Sequence, residues 1–476
     1  MSQLHQKDNT MIGKKIFITL TILSLTACTM VPVYTRPASP VPPEWPKGEA
    51  YGEIKTAPGE TRIAALNWQE YFVDGRLQKV ITMALENNRD LRIAALNVER
   101  ARAAYGIQRD ELFPALDVTA SRSKERVAAD ISTTGKTHIS DYYGGDLGVL
   151  SWEIDFFGRI RSLKDKALEQ YLSTEHARRG TQISLISSVV VSYLTLVADR
   201  ENLELARSTL AAQQETYDLI RRRYDVGLIT ELDLRRVQTQ VDTARGNVAI
   251  FTRLMAQDGN MLDLLVGTPV SDELKPSGLK GVVPPKEILP GISSEVLFNR
   301  PDILAAEHQL KAVNANIGAA RAAFFPRISL TSTVGTGSYE LSRLFSADSA
   351  TWSFAPQVVM PLFDARLWSA LKGSKVEREI AVAQYEKTVQ TAFREVADAL
   401  AQKGTVGDQM AAQESLVRAS ADTYKLTNAR YSKGIDSYLS VLDAQRSLYA
   451  AEQGLIAVRL AGLTNLVTLY KVLGGE

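Results

Sequence analysis

Cysteine is almost absent from this chain: one thiol, Cys28, in 476 residues. An internal disulfide framework and a thiolate metal cluster are both excluded. Histidine is scarce as well. His5, His138, His176 and His308 are scattered, and no pair has metal-ligand spacing. No HExxH, Walker A loop, GxSxG elbow or dinucleotide fingerprint occurs, so nothing argues for an enzyme. An excess of one charge is lacking too: 55 basic against 54 acidic residues leave a net +1, which gives no reason to expect nucleic acid as a partner. What is present is an ordinary folded composition, 45% apolar and 23% charged, which excludes general disorder.

The lone cysteine has a special setting. From Met11 the chain reads MIGKKIFITLTILSLTACTM: two lysines, a ten-residue apolar run from Ile16 to Leu25, then small residues into Cys28. The run is too short to span a bilayer and has the grammar of a signal peptide, with Met11 the expected start. Leu25-Thr26-Ala27-Cys28 resembles a bacterial lipobox, after which the cysteine is acylated and becomes the first residue. No aspartate follows to retain it at the inner membrane, so an outer-membrane lipoprotein is expected. Each buried methylene contributes about 0.8 kcal/mol, enough for several acyl chains to anchor firmly.

Proline is missing from two long tracts, Pro114 to Pro269 and Pro361 to the end. Proline inside a helix costs about 3 kcal/mol, so such tracts can carry very long helices. Both are rich in Ala, Leu, Gln, Glu and Arg at helical spacing. Thr181 to Ala198 has no charge, but Ser184, Ser188, Ser192 and Thr195 form a small polar stripe, which fits a helix packed among helices better than a transmembrane span.

Two segments echo each other. RYDVGLITELDLRRVQ (Arg223 to Gln238) and RYSKGIDSYLSVLDAQ (Arg430 to Gln445) match at an offset of 207 residues. Gly227 and Gly434 punctuate them, so each is the tip of an antiparallel helical hairpin. An arm from Arg159 to Tyr224 would reach roughly 100 Å. A second match, at offset 212, pairs RDELFP (Arg109 to Pro114) with RAAFFP (Arg321 to Pro326). The chain is a tandem duplication: helix, Phe-Pro, two strands, long hairpin, twice. After each Phe-Pro the residues alternate, Leu116, Val118 and Ala120 against Asp117, Thr119 and Ser121, then Ile328, Leu330 and Val334 against Ser329, Thr331 and Thr333. Tyr143 to Val149 and Trp352 to Met360 suit return strands. Period two over about ten residues fits a membrane β-barrel strand or a soluble sheet with one wet face equally well. In a membrane, four strands cannot close a barrel, since the smallest have eight and an open edge is forbidden there; several chains would have to share one.

With LENNRDLR (Leu85 to Arg92), WEIDFFGRIRSL (Trp152 to Leu163), NRPDILAAEHQL (Asn299 to Leu310), IGAARAAFFPRISLT (Ile317 to Thr331) and YSKGIDSYLSVLDAQRSLY (Tyr431 to Tyr449), the chain resembles the TolC family of outer-membrane factors of tripartite efflux systems, in its lipidated, OprM-like (NodT-type) drug-efflux branch. The resemblance implies a mainly α, α+β homotrimer: a twelve-stranded outer-membrane barrel, four strands per chain, continuous with a periplasmic α-helical barrel and a small mixed equatorial domain. It implies a passive exit duct for drugs or other small toxic compounds, without cofactors beyond lipid on Cys28. Its implied partners are a periplasmic adaptor, an inner-membrane transporter of RND type and outer-membrane lipid. The corresponding divisions are a signal peptide (1–27), a lipidated tether (28–75), a first repeat (76–268), an irregular equatorial link (269–296), and a second repeat with the C-terminal equatorial part (297–476).

Leu439 and Asp443, four apart, share a helix face. Their repeat equivalents are Leu232 and Arg236, so the second copy alone carries the acid. By resemblance Leu439 and Asp443 form the periplasmic gate, an apolar ring and a carboxylate ring favouring cations, whose crowding raises proton affinity. Spacing alone fits equally a hairpin core leucine and a surface ion pair of Asp443 with Arg446 or Lys433. Arg223, Tyr224, Gly227, Tyr431 and Gly434 would lie where the adaptor docks, although turn formation alone accounts for both glycines. The rival function is a structural or adhesive trimeric coiled-coil outer-membrane lipoprotein without transport, which sustained strict heptads would favour.

Overall fold

A computed structural model describes residues 29–51, 67–286 and 293–475. Cys28 and the signal-peptide expectation for 1–27 lie outside the described residues. The helices are α1 (Trp68–Tyr71), α2 (Gly75–Asn87), α3 (Arg89–Asp110), α4 (Arg159–Asp225), α5 (Glu231–Val266), α6 (Pro301–Ala322), α7 (Ala365–Ser432) and α8 (Tyr438–Val472); the strands are β1 (Asp117–Val127), β2 (His138–Glu153), β3 (Arg327–Ser338) and β4 (Ala350–Val359). The two proline-free tracts therefore hold unbroken helices of 67 and 68 residues, α4 and α7, each followed by a shorter return helix. The described residues divide into two compact units.

Among the described residues the first unit comprises 29–37, Val98–Thr174 and Ala306–Tyr385. It holds one antiparallel sheet in the order β1-β2-β3-β4, so β1 and β4 are edges. Register decides which face is apolar. Val118 lies opposite Leu147, Leu147 opposite Val334, and Val334 opposite Trp352. This row of large apolar side chains is bare, at 82%, 47%, 61% and 79% exposure. The neighbouring row, Asp117, Gly148, Thr333 and Ser353, points the other way and is small or polar. A soluble sheet buries its apolar face and wets the polar one. This sheet leaves its apolar row bare, which argues against the soluble alternative left open by alternation alone.

In the same unit the segment after Thr29 lies along α6. Arg321 donates to the Met30 carbonyl (3.2 Å), Asn314 to the Pro32 carbonyl (2.8 Å), and Arg36 to Glu307 (2.6 Å). Six extended residues cover about 20 Å and the 14 helical residues from Glu307 to Arg321 about 21 Å, so strap and helix keep pace. Burial pushes the Glu307 carboxyl up, but Arg36 and Lys311 hold it below the usual carboxylate range. The segment read as a tether is thus a fastened strap over its first residues.

The second unit comprises the described residues within 38–97, 175–305 and 386–475. Its core gathers Tyr71, Phe72 and Tyr470, with Tyr71 stacked on Tyr470 at 5.1 Å and its hydroxyl donating to the Leu466 carbonyl (2.8 Å). Asp74 caps α2 by accepting from Arg76 and Leu77, and its second oxygen accepts from the Val283 amide (3.1 Å), which ties down the proline-rich link. In the uncharged stretch of α4, Ile186, Val189, Val190, Tyr193, Leu194 and Val197 are all buried by protein. Ser188, Ser192 and Thr195 instead line a cavity of about 660 Å³ with Asp258, Asp398 and Thr468. Three of the four residues of the polar stripe therefore line a cavity rather than a close helix–helix contact.

Candidate functional site

The two echoed segments fold alike. Gly227 has φ 76° and Gly434 φ 74°, the left-handed conformation that glycine adopts without a Cβ penalty. Gly227 donates to the Tyr224 carbonyl (2.8 Å) and Leu228 to that of Arg223 (2.9 Å); Gly434 donates to Tyr431 (2.9 Å) and Ile435 to Arg430 (3.0 Å). Each long helix thus ends in the same glycine cap. The return helix α5 starts on Thr230, whose hydroxyl accepts from the Asp233 amide (3.2 Å). Both glycines have open space around an added Cβ, so the turn alone explains their presence.

The tips meet through side chains. Ile220, Leu234 and Val237 form a buried cluster against which Tyr217, Ile229 and Tyr438 pack. Burial pushes the Tyr438 phenol up to about 12. Arg223 donates to the Tyr431 hydroxyl (3.0 Å), its guanidinium 5.9 Å from that ring's centre, and Tyr431 lies against Tyr438 at 5.1 Å. Arg430 grips Asp436 with two hydrogen bonds of 2.6 and 3.0 Å and holds that carboxyl below the usual range. Tyr224 remains exposed. The structure thus joins Arg223 to Tyr431 and leaves Tyr224 apart. The Arg430–Asp436 pair was missed in the sequence, although an arginine and an aspartate flanking a glycine turn were there to be noticed.

Leu439 stands in the first turn of α8, 43% exposed and outside the buried cluster. Asp443 is exposed on the same face and paired with Arg446, one turn on. On α5 the equivalent Leu232 is also exposed, and Arg236 sits 3.8 Å from Asp233. Of the alternative to a gate, a core leucine together with a surface ion pair, the pair of Asp443 with Arg446 is present and the core role for Leu439 is not. An exposed leucine beside a paired acid is a surface that other copies of the chain can cover.

Higher in the same unit, Asp199 on α4 and Asp258 on α5 are adjacent carboxyls. Burial first, then the hydrogen bond and charge of Asp199, push Asp258 up to about 6. Among the described residues no group of three or more His, Cys, Asp or Glu could hold a metal ion.

The family described as "Outer membrane efflux protein" matches residues 80–268 and 292–475, and the chain belongs to it. It is 47% identical over 460 residues to the antibiotic efflux pump outer membrane protein ArpC of Pseudomonas putida, covering 96% of this chain and 94% of that protein. A toluene efflux pump outer membrane protein, TtgC, also of Pseudomonas putida, matches at the same identity and coverage. Among solved structures, the open state of the Neisseria gonorrhoeae MtrE outer membrane channel superposes with a TM-score of 0.84 at 37% identity, over 94% of this chain and 98% of that one. The protein is an outer-membrane channel component of an efflux system, with the mainly α, α+β fold expected of that class.

Proposed function

We propose that three copies of this chain close a twelve-stranded barrel through the outer membrane and form one exit duct whose periplasmic end is gated at the hairpin tips. The observation that carries this is the four-stranded sheet with a bare apolar face and two free edges, which in a bilayer only other copies can complete. Helix α3 adds to it: it has no buried residue, and Ile93, Leu96 and Ile107 stand exposed, ready for a neighbouring copy.

At the tips, three Leu439 side chains make an apolar constriction that gates by dewetting. Three Asp443 carboxylates follow one turn on, each held by its own Arg446, so the ring is zwitterionic rather than purely acidic and discriminates weakly by charge. The turns carrying Arg223, Tyr224, Gly227, Tyr431 and Gly434 meet a periplasmic adaptor, which connects the duct to an inner-membrane transporter of RND type. Cys28, acylated, adds a lipid anchor in the outer membrane. No chemistry is performed on the cargo and no cofactor takes part. Two relatives of equal identity are named for different cargo, antibiotics and toluene, so cargo choice belongs to the pump and the duct passes small toxic compounds broadly.

The test is the native mass of the purified protein in detergent together with its conductance in planar bilayers. Three copies and a nearly silent channel that opens on tip mutation support the assignment. A lone protomer, or a trimer that never conducts, defeats it.

A further inference from the structure

The duplication leaves one junction closed inside the chain and its counterpart open at the two edges of the sheet. Phe157 is the fourth residue after β2 ends at Glu153, and Phe363 the fourth after β4 ends at Val359. Phe113 and Phe325 each stand directly before the proline that leads into β1 or β3. Where β2 meets β3, Phe157 stacks on Phe325 with centroids 4.9 Å apart and planes 21° from parallel. At the same place the Ile154 amide donates to the Ile328 carbonyl (2.8 Å) and Glu153 lies opposite Ser329. The counterparts are bare: Phe113 is 67% and Phe363 93% exposed, against 40% for Phe325. So are the strands that carry them. Every residue of β4 is exposed and all but Val127 of β1, whereas most of β3, paired on both sides, is half-buried.

We propose that β4 of one copy joins β1 of the next copy in the register that joins β2 to β3, with Phe363 stacked on Phe113 of the next copy. The proposal rests on the shared barrel put forward above. The residue shifts that carry Phe157 onto Phe363 and Phe325 onto Phe113 carry Glu153 onto Val359 and Ser329 onto Asp117. Val359 therefore faces Asp117 of the next copy, and the Met360 amide donates to the Leu116 carbonyl. The chemistry of the seam differs from that of its template. Inside the chain Glu153 sits between Arg159 (2.8 Å) and Arg327 (3.4 Å), while the corresponding Val359, Ala365 and Ala115 carry no charge. The seam between copies is held by backbone pairing and the stacked rings, and the ion pairs of Glu153 that close the internal junction have no counterpart there.

Disulfide trapping tests the register. β1 and β4 are opposite edges of one chain's sheet, about 14 Å apart at three strand spacings, beyond the reach of a disulfide at about 7 Å. A bond between positions 117 and 359 must therefore join two copies. Asp117→Cys with Val359→Cys is expected to run as reducible dimers and trimers on a non-reducing gel, and each single variant as monomer. Thr119→Cys with Val359→Cys, two residues out of register, should give several-fold less. No ladder from the 117/359 pair in a preparation whose native mass is still three copies overturns the register and leaves the trimer standing; a single-chain mass overturns both. For the stack, Phe113→Ala and Phe363→Ala should each lower the temperature at which the trimer dissociates in SDS, and the double variant should lose no more than one of them. Additive losses would show that the two rings do not touch.

Discussion

Arginine at position 354 is expected to cripple the barrel, while arginine one residue away is tolerated. Phe354 lies on the bare apolar face of β4, 62% exposed. Two residues to one side is Trp352; two to the other is Pro356, opposite Leu330, which is itself opposite Trp152. The two rows are four residues apart, about 13 Å of strand, so both fit within an apolar band about 25 Å tall, and Phe354 between them faces the hydrocarbon. A guanidinium on the lipid face costs up to about 2–4 kcal/mol at mid-depth in a membrane barrel, so up to roughly 6–12 kcal/mol for three copies acting independently. Ser353 faces the other way, with its hydroxyl 2.7 Å from that of Thr333. Ser353→Arg loses that hydrogen bond, about 1 kcal/mol per copy, and puts its charge in the lumen. The assay is urea unfolding of the trimer in lipid vesicles, followed by tryptophan fluorescence. A large fall in midpoint for Phe354→Arg and a small one for Ser353→Arg is the expected pair. Equal falls, or a larger one for Ser353→Arg, would refute both the facing of the sheet and its place in the membrane.

Replacing Leu439 and Asp443 together with alanine should raise single-channel conductance in planar bilayers several-fold, and an unchanged, silent channel would remove these residues from the gate. Gly434→Ala should lower the thermal midpoint of the protein by the equivalent of about 1 kcal/mol per copy, and Gly227→Ala by a similar amount, because both glycines hold positive φ with free space around the added methyl. Asp258 is raised to about 6 in the folded protein, so its favourable contribution is present below its unfolded value near 4 and lost as pH rises through 6. Asp258→Asn should therefore leave stability unchanged at pH 4 and raise it at pH 7.5, by about 1–2 kcal/mol after allowance for solvent screening; an equal gain at both pH values would rule out the titration.

Local rules make much of this protein legible in its sequence. Helices α4 and α7 follow from the absence of proline, and the glycine caps at Gly227 and Gly434 from a backbone geometry that only a few residues around each turn decide. The strands follow from period two, and the duplication from matched spacing. Alternation, however, is blind to which face meets solvent. Only the register, aligning Val118, Leu147, Val334 and Trp352 into one bare row, turned an ambiguous sheet into a membrane wall. The spacing of Leu439 and Asp443 likewise allowed either a gate or a core leucine with a surface ion pair, and packing at the tip left the leucine out of the buried cluster and gave the acid Arg446. The contact of Arg223 with Tyr431 spans 208 residues, and that of Asp199 with Asp258 crosses from α4 to α5. Hydrogen bonds three or four residues apart are set by the chain's own geometry and can be read along it. Contacts between distant residues exist only once the helices and strands have been brought together, and in this protein those contacts decide which faces are left for other copies to cover.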